Sequence, residues 1–223
     1  MTDFLLIHGA GHGGWVWDQV LGLIQHDLSR KPGLYNNSFP PGRVLTPDLP
    51  GHGARYQTDD PIHITFDQCV EELLELCEEV DLNQLIIGVH SLSGLIALEL
   101  IRRAKIAPKA LVLVGGIVPD LFHNVLEMLP ITTRALINIL RLQPNTPPET
   151  VKLHKEVGTR LLCNGMRYPD ALSKVVGRLR PIPLHPWDAL PHPEALEPKC
   201  PVTYILLNQD KFIPAATQSR MAN

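Results

Sequence analysis

Short, mostly apolar runs alternate with helical patterns through the first half of this 223-residue chain. The runs cover residues 4–7, 43–46, 85–89 and 111–114, and a glycine, proline or serine follows each within two residues. Apolar residues at helical spacing follow in 15–28, 65–77 and 94–104. Buried strands that alternate with helices are typical of right-handed βαβ units on a mostly parallel sheet. The sequence therefore predicts an α/β fold with helices flanking the sheet.

The pattern changes after residue 118. Residues 120–190 show helical spacing and no convincing strand, and Thr146-Pro147-Pro148-Glu149 combines a cap, a proline and a capping-box acid that together predict a helix start. A proline-rich segment at 181–201 then leads to a last strand at 202–207. We therefore expect a sheet core at 1–118, an inserted helical lid at 119–195 and a second part of the core at 196–223. A loop rich in Pro, Gly and Asn is expected at 29–42.

Composition excludes several classes of protein. Hydrophobic residues make up 44% and charged residues 19%, so the chain has material for a core. A membrane span needs about 18 consecutive apolar residues, and no uninterrupted run of that length occurs. The net charge is −3, with no basic stripe of the kind that nucleic-acid binding requires. The four cysteines include no C-x-x-C pair, which favours reduced thiols, a cytoplasmic location and no structural zinc.

The most informative segment runs from residue 85 to residue 94. It predicts a strand, a sharp turn at a serine and an immediate helix, an arrangement called a nucleophile elbow because the turn lifts the hydroxyl above the sheet. Residues 89–94 are Val-His-Ser-Leu-Ser-Gly, so Val89 and Ser93 stand where Gly-x-Ser-x-Gly has glycines. Ser93 is small enough for the turn, whereas Val89 is expected to crowd it. A Ser91 that only caps a helix explains the same residues and stays an alternative.

Four motifs occur along the chain in a fixed order. They are residues 6–17 (Leu-Ile-His-Gly-Ala-Gly-His-Gly-Gly-Trp-Val-Trp), 48–53 (Asp-Leu-Pro-Gly-His-Gly), 90–94 (His-Ser-Leu-Ser-Gly) and 210–214 (Asp-Lys-Phe-Ile-Pro). Together they resemble the α/β-hydrolase superfamily. The first and last motifs are similar to those of plant methyl esterases and hydroxynitrile lyases, and the second is typical of bacterial carboxylesterases.

The resemblance implies roles for five residues. Ser91 would be the nucleophile, and Asp210 the acid that orients a catalytic histidine. The backbone N–H groups of Ala10 and Leu92 would form the oxyanion hole, and His12 would line the substrate pocket. No cofactor and no metal are implied. The expected activity is that of a serine carboxylesterase acting on small, largely apolar esters through an acyl-enzyme on Ser91.

The expected base is missing from the printed chain. The family order is Ser, then Asp or Glu, then His, but no histidine follows His192. Either the chain is a fragment that lacks the last strand and helix, or another histidine substitutes, or the protein does not catalyse. We expect the first, and hence weak or no esterase activity and an exposed sheet edge in these 223 residues. His185 and His192 are the downstream substitutes, and both are expected to be exposed.

The other histidines have plainer expectations. His8 is expected to be a packed turn residue, and the side chain of His90 is expected to point away from the nucleophile. Apolar lid residues suggest a hydrophobic acyl or alkyl group in the substrate, although ordinary packing explains at least half of them: Leu121, Phe122, Leu126 and Leu129. The expected partner is a small-molecule ester, with no nucleic acid or membrane, and the oligomeric state is left open, a dimer included.

Three other functions remain alternatives. The chain could be a non-catalytic member of the fold that binds a small molecule, which the missing histidine favours. It could be a lyase similar to the hydroxynitrile lyases, although these carry threonine where this chain has Gly9. Residues 9–14 also satisfy G-x-G-x-x-G, a dinucleotide-binding pattern, but the nearest suitable acid, Asp48, lies 34 residues beyond Gly14 rather than about 20.

Overall fold

The computed structural model describes residues 2–30, 41–144, 146–147 and 149–222. Its main sheet has five strands, all parallel, in the order β2-β1-β3-β4-β7. These strands are β1 (Thr2–Ile7), β2 (Pro41–Leu45), β3 (Leu85–His90), β4 (Ala110–Val114) and β7 (Val202–Ile205). The predicted α/β fold and parallel sheet are therefore confirmed, with each predicted strand present and its ends shifted by at most two residues.

Helices connect the strands as the apolar spacing predicts. They are α1 (Asp18–Arg30), α2 (Phe66–Leu76) and α3 (Ser93–Ala104), and a further helix, α7 (Ala215–Met221), follows β7. The Thr65 hydroxyl caps α2 by accepting a hydrogen bond from the N–H of Gln68 at 3.1 Å. The Gln68 side chain donates to Glu72 instead of reaching back to the cap, so only half of the capping box forms. The buried residues of α2 and α3 pack against β1, β3 and β4 in one apolar core.

The segment between β4 and β7 contains three helices and a short antiparallel pair of strands. The helices are α4 (Ile131–Arg141), α5 (Lys155–Leu162) and α6 (Tyr168–Lys174), and the strands are β5 (Thr150–Val151) and β6 (Ile182–Pro183). The prediction that this segment lacks strands was wrong. A small second core around Cys163, Ala171 and Val176 supports α5 and α6.

The predicted helix start at 146–149 was also wrong. Glu149 has a left-handed backbone with φ of +52°, which a helix does not permit, and its carbonyl accepts the N–H of Leu184 at 3.1 Å. Thr150 then pairs with Pro183 in the strand pair, and the helix begins only at Lys155. A favourable capping sequence therefore gives way to strand pairing; Pro148 lies outside the described residues.

Two further predictions concern the loop at 29–42 and the state of the cysteines. Residues 31–40 of the expected loop at 29–42 lie outside the described residues, while 29–30 belong to α1 and 41–42 to β2. The four cysteines, Cys69, Cys77, Cys163 and Cys200, are all free thiols. In the described ranges, no helix combines the length and apolarity that a membrane crossing needs.

Strand β7 lies at the edge of the five-stranded sheet. Three of its four residues, Val202, Thr203 and Ile205, are exposed. Strand β7 pairs with β4 on one side, and no described strand pairs with its other side. This agrees with the expectation of an exposed sheet edge. An apolar strand edge of this kind is a site at which another chain can pair.

Candidate active site

Ser91 lies in the sharp turn between β3 and α3. Its backbone has φ of +57°, a left-handed conformation that costs a non-glycine residue about 1–3 kcal/mol. Surrounding backbone groups compensate for this strain: the Ser91 N–H donates to Val114 O at 3.2 Å, and Ser91 O accepts from the N–H of Ile117 at 2.8 Å and of Gly94 at 3.0 Å. The Ser91 side chain is half-buried, and none of the side-chain hydrogen bonds between described residues involves its hydroxyl. The geometry is that of a nucleophile elbow.

The residues flanking Ser91 explain how the turn is accommodated. Val89 is fully buried in the core, so its side chain lies in the sheet packing instead of crowding the turn as expected. Ser93 is also fully buried, and its hydroxyl donates to the carbonyl of His8 at 2.5 Å. Gly94 has no room for a side chain, because an added Cβ would lie 2.5 Å from the carbonyl oxygen of Ile117. Gly94, the residue that follows the Gly-x-Ser-x-Gly positions, is therefore required by close backbone approach.

The loop after β1 lies directly against this turn. A Cβ added at Gly9 would be 2.9 Å from the Ser91 Cβ and 2.6 Å from His90 Nδ1, so the two segments are in contact. Among the hydrogen bonds between described residues, none is donated by the backbone N–H of Ala10 or of Leu92. Both predicted oxyanion donors therefore lack a hydrogen-bond partner among the described residues, and they belong to segments that touch at Gly9 and Ser91.

Asp210 lies in the loop after β7. Its Oδ1 accepts the N–H groups of Phe212 at 2.7 Å and Ile213 at 2.9 Å, and its Oδ2 accepts the Gln218 side-chain amide at 3.3 Å. Burial raises the pKa of Asp210, and the two backbone N–H groups partly offset that rise. No histidine among the described residues donates to this carboxylate.

Gln218 is a residue that the sequence interpretation missed. Its side chain is fully buried in α7, donates to Ile213 O at 2.6 Å and accepts the Leu207 N–H at 2.9 Å. Together with its contact to Asp210, these bonds fix both ends of the loop that carries the acid. A single glutamine in a short helical pattern gives no signal of this role, because its partners lie five to eleven residues earlier in a loop.

Asp210 borders a cavity of about 530 Å³ between the loop after β7 and the end of α5. Two of the lining residues are histidines, and four leucines supply an apolar wall. The lining is His12, His90, Leu161, Leu162, Asn164, Leu206, Leu207, Asn208, Gln209 and Asp210. The predicted pocket residue His12 and the predicted acid Asp210 therefore face the same space, next to the residue that precedes Ser91.

The apolar lid residues named from the sequence do not line this cavity. Leu121 and Phe122 are 44% and 85% exposed, and Leu129 is buried in the main core. The apolar wall comes instead from Leu161 and Leu162 at the end of α5. The apolar character of a residue does not predict whether it lines this cavity, because that depends on which helix lies beside the sheet edge.

The His90 side chain, which the sequence predicts to point away from the Ser91 nucleophile, borders the cavity beside Asp210. Its ring packs edge-on against His12, with 5.5 Å between centroids. Burial, with His12 nearby, lowers the pKa of His90 to about 3, and burial likewise lowers the pKa of His12. His90 Nδ1 is buried without a hydrogen-bond partner among the described residues. Both rings are therefore neutral near pH 7.

His8 and His52 form a second buried pair behind the first, with ring centroids 5.2 Å apart. His8 Nε2 accepts the N–H of Leu49 at 3.0 Å, which confirms the expectation of a packed turn residue. The downstream candidates are exposed, as expected, and line a different cavity beside Glu99. The structure therefore does not bring His185 or His192 to Asp210.

The glycine-rich loop is held by the protein itself. The carboxylate of Asp48 accepts the N–H of Gly14 at 2.7 Å and the N–H of Ala54 at 2.8 Å. In a dinucleotide-binding protein this acid would have to bind a ribose. Because both of its oxygens already bind backbone N–H groups, the structure gives that alternative no support.

Comparison with known proteins agrees with this architecture. A solved extracellular α/β-hydrolase from a Paenibacillus species superposes with a TM-score of 0.80 at 21% identity, covering 99% of this chain and 86% of that one. The methylesterase MES16 from Arabidopsis superposes with a TM-score of 0.72 at 20% identity, covering 100% of this chain and 84% of that one. At these identities the likeness concerns the fold.

Two sequence comparisons add to the structural ones. A carbendazim-hydrolysing esterase from Nocardioides sp. is 29% identical over 185 residues, which are 82% of this chain and 61% of the esterase, so the chain spans less than two thirds of that relative. The alpha/beta hydrolase family matches residues 4–223. This match covers nearly all of the chain, and the chain therefore belongs to the α/β-hydrolase family.

Proposed function

We propose that this protein is a serine carboxylesterase that hydrolyses small, largely apolar esters through an acyl-enzyme on Ser91. The observation that carries the proposal is the left-handed turn at Ser91, whose unpaired hydroxyl lies beside two segments with unpaired backbone N–H groups. A strained, non-glycine turn of this kind needs a reason, and a nucleophile held in the turn supplies one. The esterase among the relatives supports the same class of chemistry.

The proposed reaction has two steps. The Ser91 hydroxyl oxygen attacks the ester carbonyl carbon, the proton passes to a base and then to the leaving alcohol, and the acyl group stays on Ser91. Water then attacks the acyl-serine and releases the carboxylic acid. The N–H groups of Ala10 and Leu92 would stabilise the oxyanion in both steps, and removal of one such donor typically costs about 10²–10³ in rate. Asp210 would orient the base.

The substrate would occupy the cavity beside Asp210. Four leucines form its apolar wall, while His12 and Asn164 supply polar groups, which suits an uncharged ester with one apolar substituent. The His12 Nδ1–H donates to the carbonyl of Ala10 at 2.9 Å, which leaves Nε2 as the unprotonated nitrogen. We propose that His12 contacts the substrate and that the ester is the physiological small-molecule partner.

Two alternatives remain measurable. A non-catalytic, ligand-binding protein is favoured by one observation, namely that no described histidine donates to Asp210. A hydroxynitrile-lyase-like function is disfavoured, because the threonine that those lyases carry would place its Cβ 2.6 Å from His90 Nδ1. The non-catalytic alternative does not require the unpaired hydroxyl at Ser91.

The test is hydrolysis of short p-nitrophenyl esters by the product of the complete gene and by the 223-residue chain, each compared with its Ser91→Ala variant. We expect Ser91-dependent hydrolysis by the product of the complete gene, fastest for acetate and butyrate esters, and weak or no hydrolysis by the 223-residue chain. Equal rates in wild type and Ser91→Ala would exclude the proposed nucleophile. Saturable binding of an ester without any turnover would favour the non-catalytic alternative.

A further inference from the structure

Ser93 occupies a position at which the nucleophile-elbow pattern has a glycine. Its side chain is fully buried, so it has no contact with solvent, and its hydroxyl donates to the His8 carbonyl at 2.5 Å. A glycine at this position would leave that donor out. The departure from the pattern therefore adds one specific hydrogen bond between two segments that are 85 residues apart in the chain.

The two segments joined by this bond carry the two unpaired N–H groups. Ser93 directly follows Leu92, and the His8 carbonyl lies two residues before Ala10. Contact at Gly9 and Ser91 already brings the segments together. The hydrogen bond adds a directional constraint on how one backbone segment lies against the other.

We propose that Ser93 is a positioning residue for the oxyanion site: its hydroxyl sets the distance between the N–H groups of Ala10 and Leu92. The inference rests on the proposed function. Donors stabilise an oxyanion only when both lie about 2.7–3.1 Å from it, and a shift of about 1 Å can cost about 100-fold in rate. The effect belongs to the transition state, because the ground-state ester carries little charge on its carbonyl oxygen.

The experiment compares kcat and KM for p-nitrophenyl acetate in wild type, Ser93→Ala and Ser93→Cys, using the product of the complete gene. We expect Ser93→Ala to lower kcat about tenfold or more with KM changed less than twofold. Ser93→Cys keeps a weak donor of similar shape, so it should lose less than Ser93→Ala. Inhibition by a trifluoromethyl ketone, which forms a tetrahedral adduct, should weaken in parallel with kcat.

The matched control is Thr150→Val. Thr150 is another buried hydroxyl, in β5, which donates to the carbonyl of Pro147 at 2.7 Å, and its loss should leave both kcat and KM unchanged. Ser91-dependent activity that is equal in wild type and Ser93→Ala would overturn the inference alone. A fall of similar size in Thr150→Val would also overturn it, by showing a general effect of stability. Activity that does not depend on Ser91 would overturn the proposed function and this inference together.

Discussion

Lowering the pH from 7 to 5 should destabilise the folded chain, because four buried or half-buried histidines bind protons less readily in the folded chain than in the unfolded one. His52 is the clearest case. Burial lowers its pKa from 6.5 to about 4, and the hydrogen bond of its Nδ1 to the Pro50 carbonyl only partly opposes that change. That bond places the proton on Nδ1, and Nε2 is buried without a partner among the described residues. Burial also lowers the pKa values of His8, His12 and His90.

The sign and size follow from proton linkage. Because the folded pKa of His52 is lower than the unfolded one, the unfolded chain binds more protons between about pH 6.5 and pH 4. Its contribution is therefore fully present above pH 6.5 and is lost as the pH falls through this range. Between pH 6.5 and pH 5 the free energy of unfolding falls by about 1.4 kcal/mol per pH unit. Over about 1.5 pH units this amounts to about 2 kcal/mol for this one residue.

His52→Asn isolates this contribution, since asparagine keeps an N–H that can donate to the Pro50 carbonyl but does not titrate. Urea unfolding at pH 7 and pH 5, followed by circular dichroism, gives the loss of stability in each protein. We expect a loss about 2 kcal/mol smaller in His52→Asn than in wild type. His185→Asn, which removes an exposed histidine, should show the wild-type loss. Equal losses in wild type and His52→Asn would refute the argument.

Three further changes test other parts of the structure. Gly9→Ala should destabilise the protein by about 1–3 kcal/mol in urea unfolding and lower any Ser91-dependent activity, because the new Cβ would lie 2.6 Å from His90 Nδ1 and 2.9 Å from the Ser91 Cβ. A variant as stable as wild type would contradict this packing. Glu99→Ala should lower the free energy of unfolding by roughly 2–3 kcal/mol, since the buried carboxylate, 3% exposed, binds Arg102 at 2.8 Å and the backbone N–H of His192 at 3.0 Å. An unchanged midpoint of urea unfolding would show that these bonds contribute nothing. Ile205→Lys should reduce self-association measured by light scattering, because a charge on an exposed edge strand opposes pairing; unchanged scattering would exclude β7 as the contact.

The sequence predicts those parts of the fold that depend on local patterns. The four motifs and the alternation of strands and helices identify the parallel sheet, and the Thr65 cap sets the start of α2, because each depends on residues adjacent in the chain. The position of Ser91 between β3 and α3 follows for the same reason. Here local preference and tertiary structure agree.

The parts that the sequence did not predict depend on distant partners. The His90 ring faces the cavity because His12 and Gly9 pack against it, and the buried amide of Gln218 acquires its role only when α7 folds over the loop of Asp210. The failed helix start at 146–149 has the same origin, since Thr150 pairs with a strand more than 30 residues later. The local preferences of the sequence do not specify these long-range contacts.

Covalent labelling tests most directly whether the hydroxyl at residue 91 is a nucleophile. The protein is treated with a fluorophosphonate, which phosphonylates activated serines, and the modified peptide is located by mass spectrometry. We expect a single adduct on Ser91 in the product of the complete gene, absent from Ser91→Ala and slower to form in Ser93→Ala. Modification of some other residue with Ser91 left intact, or equal labelling of wild type and Ser91→Ala, would contradict it.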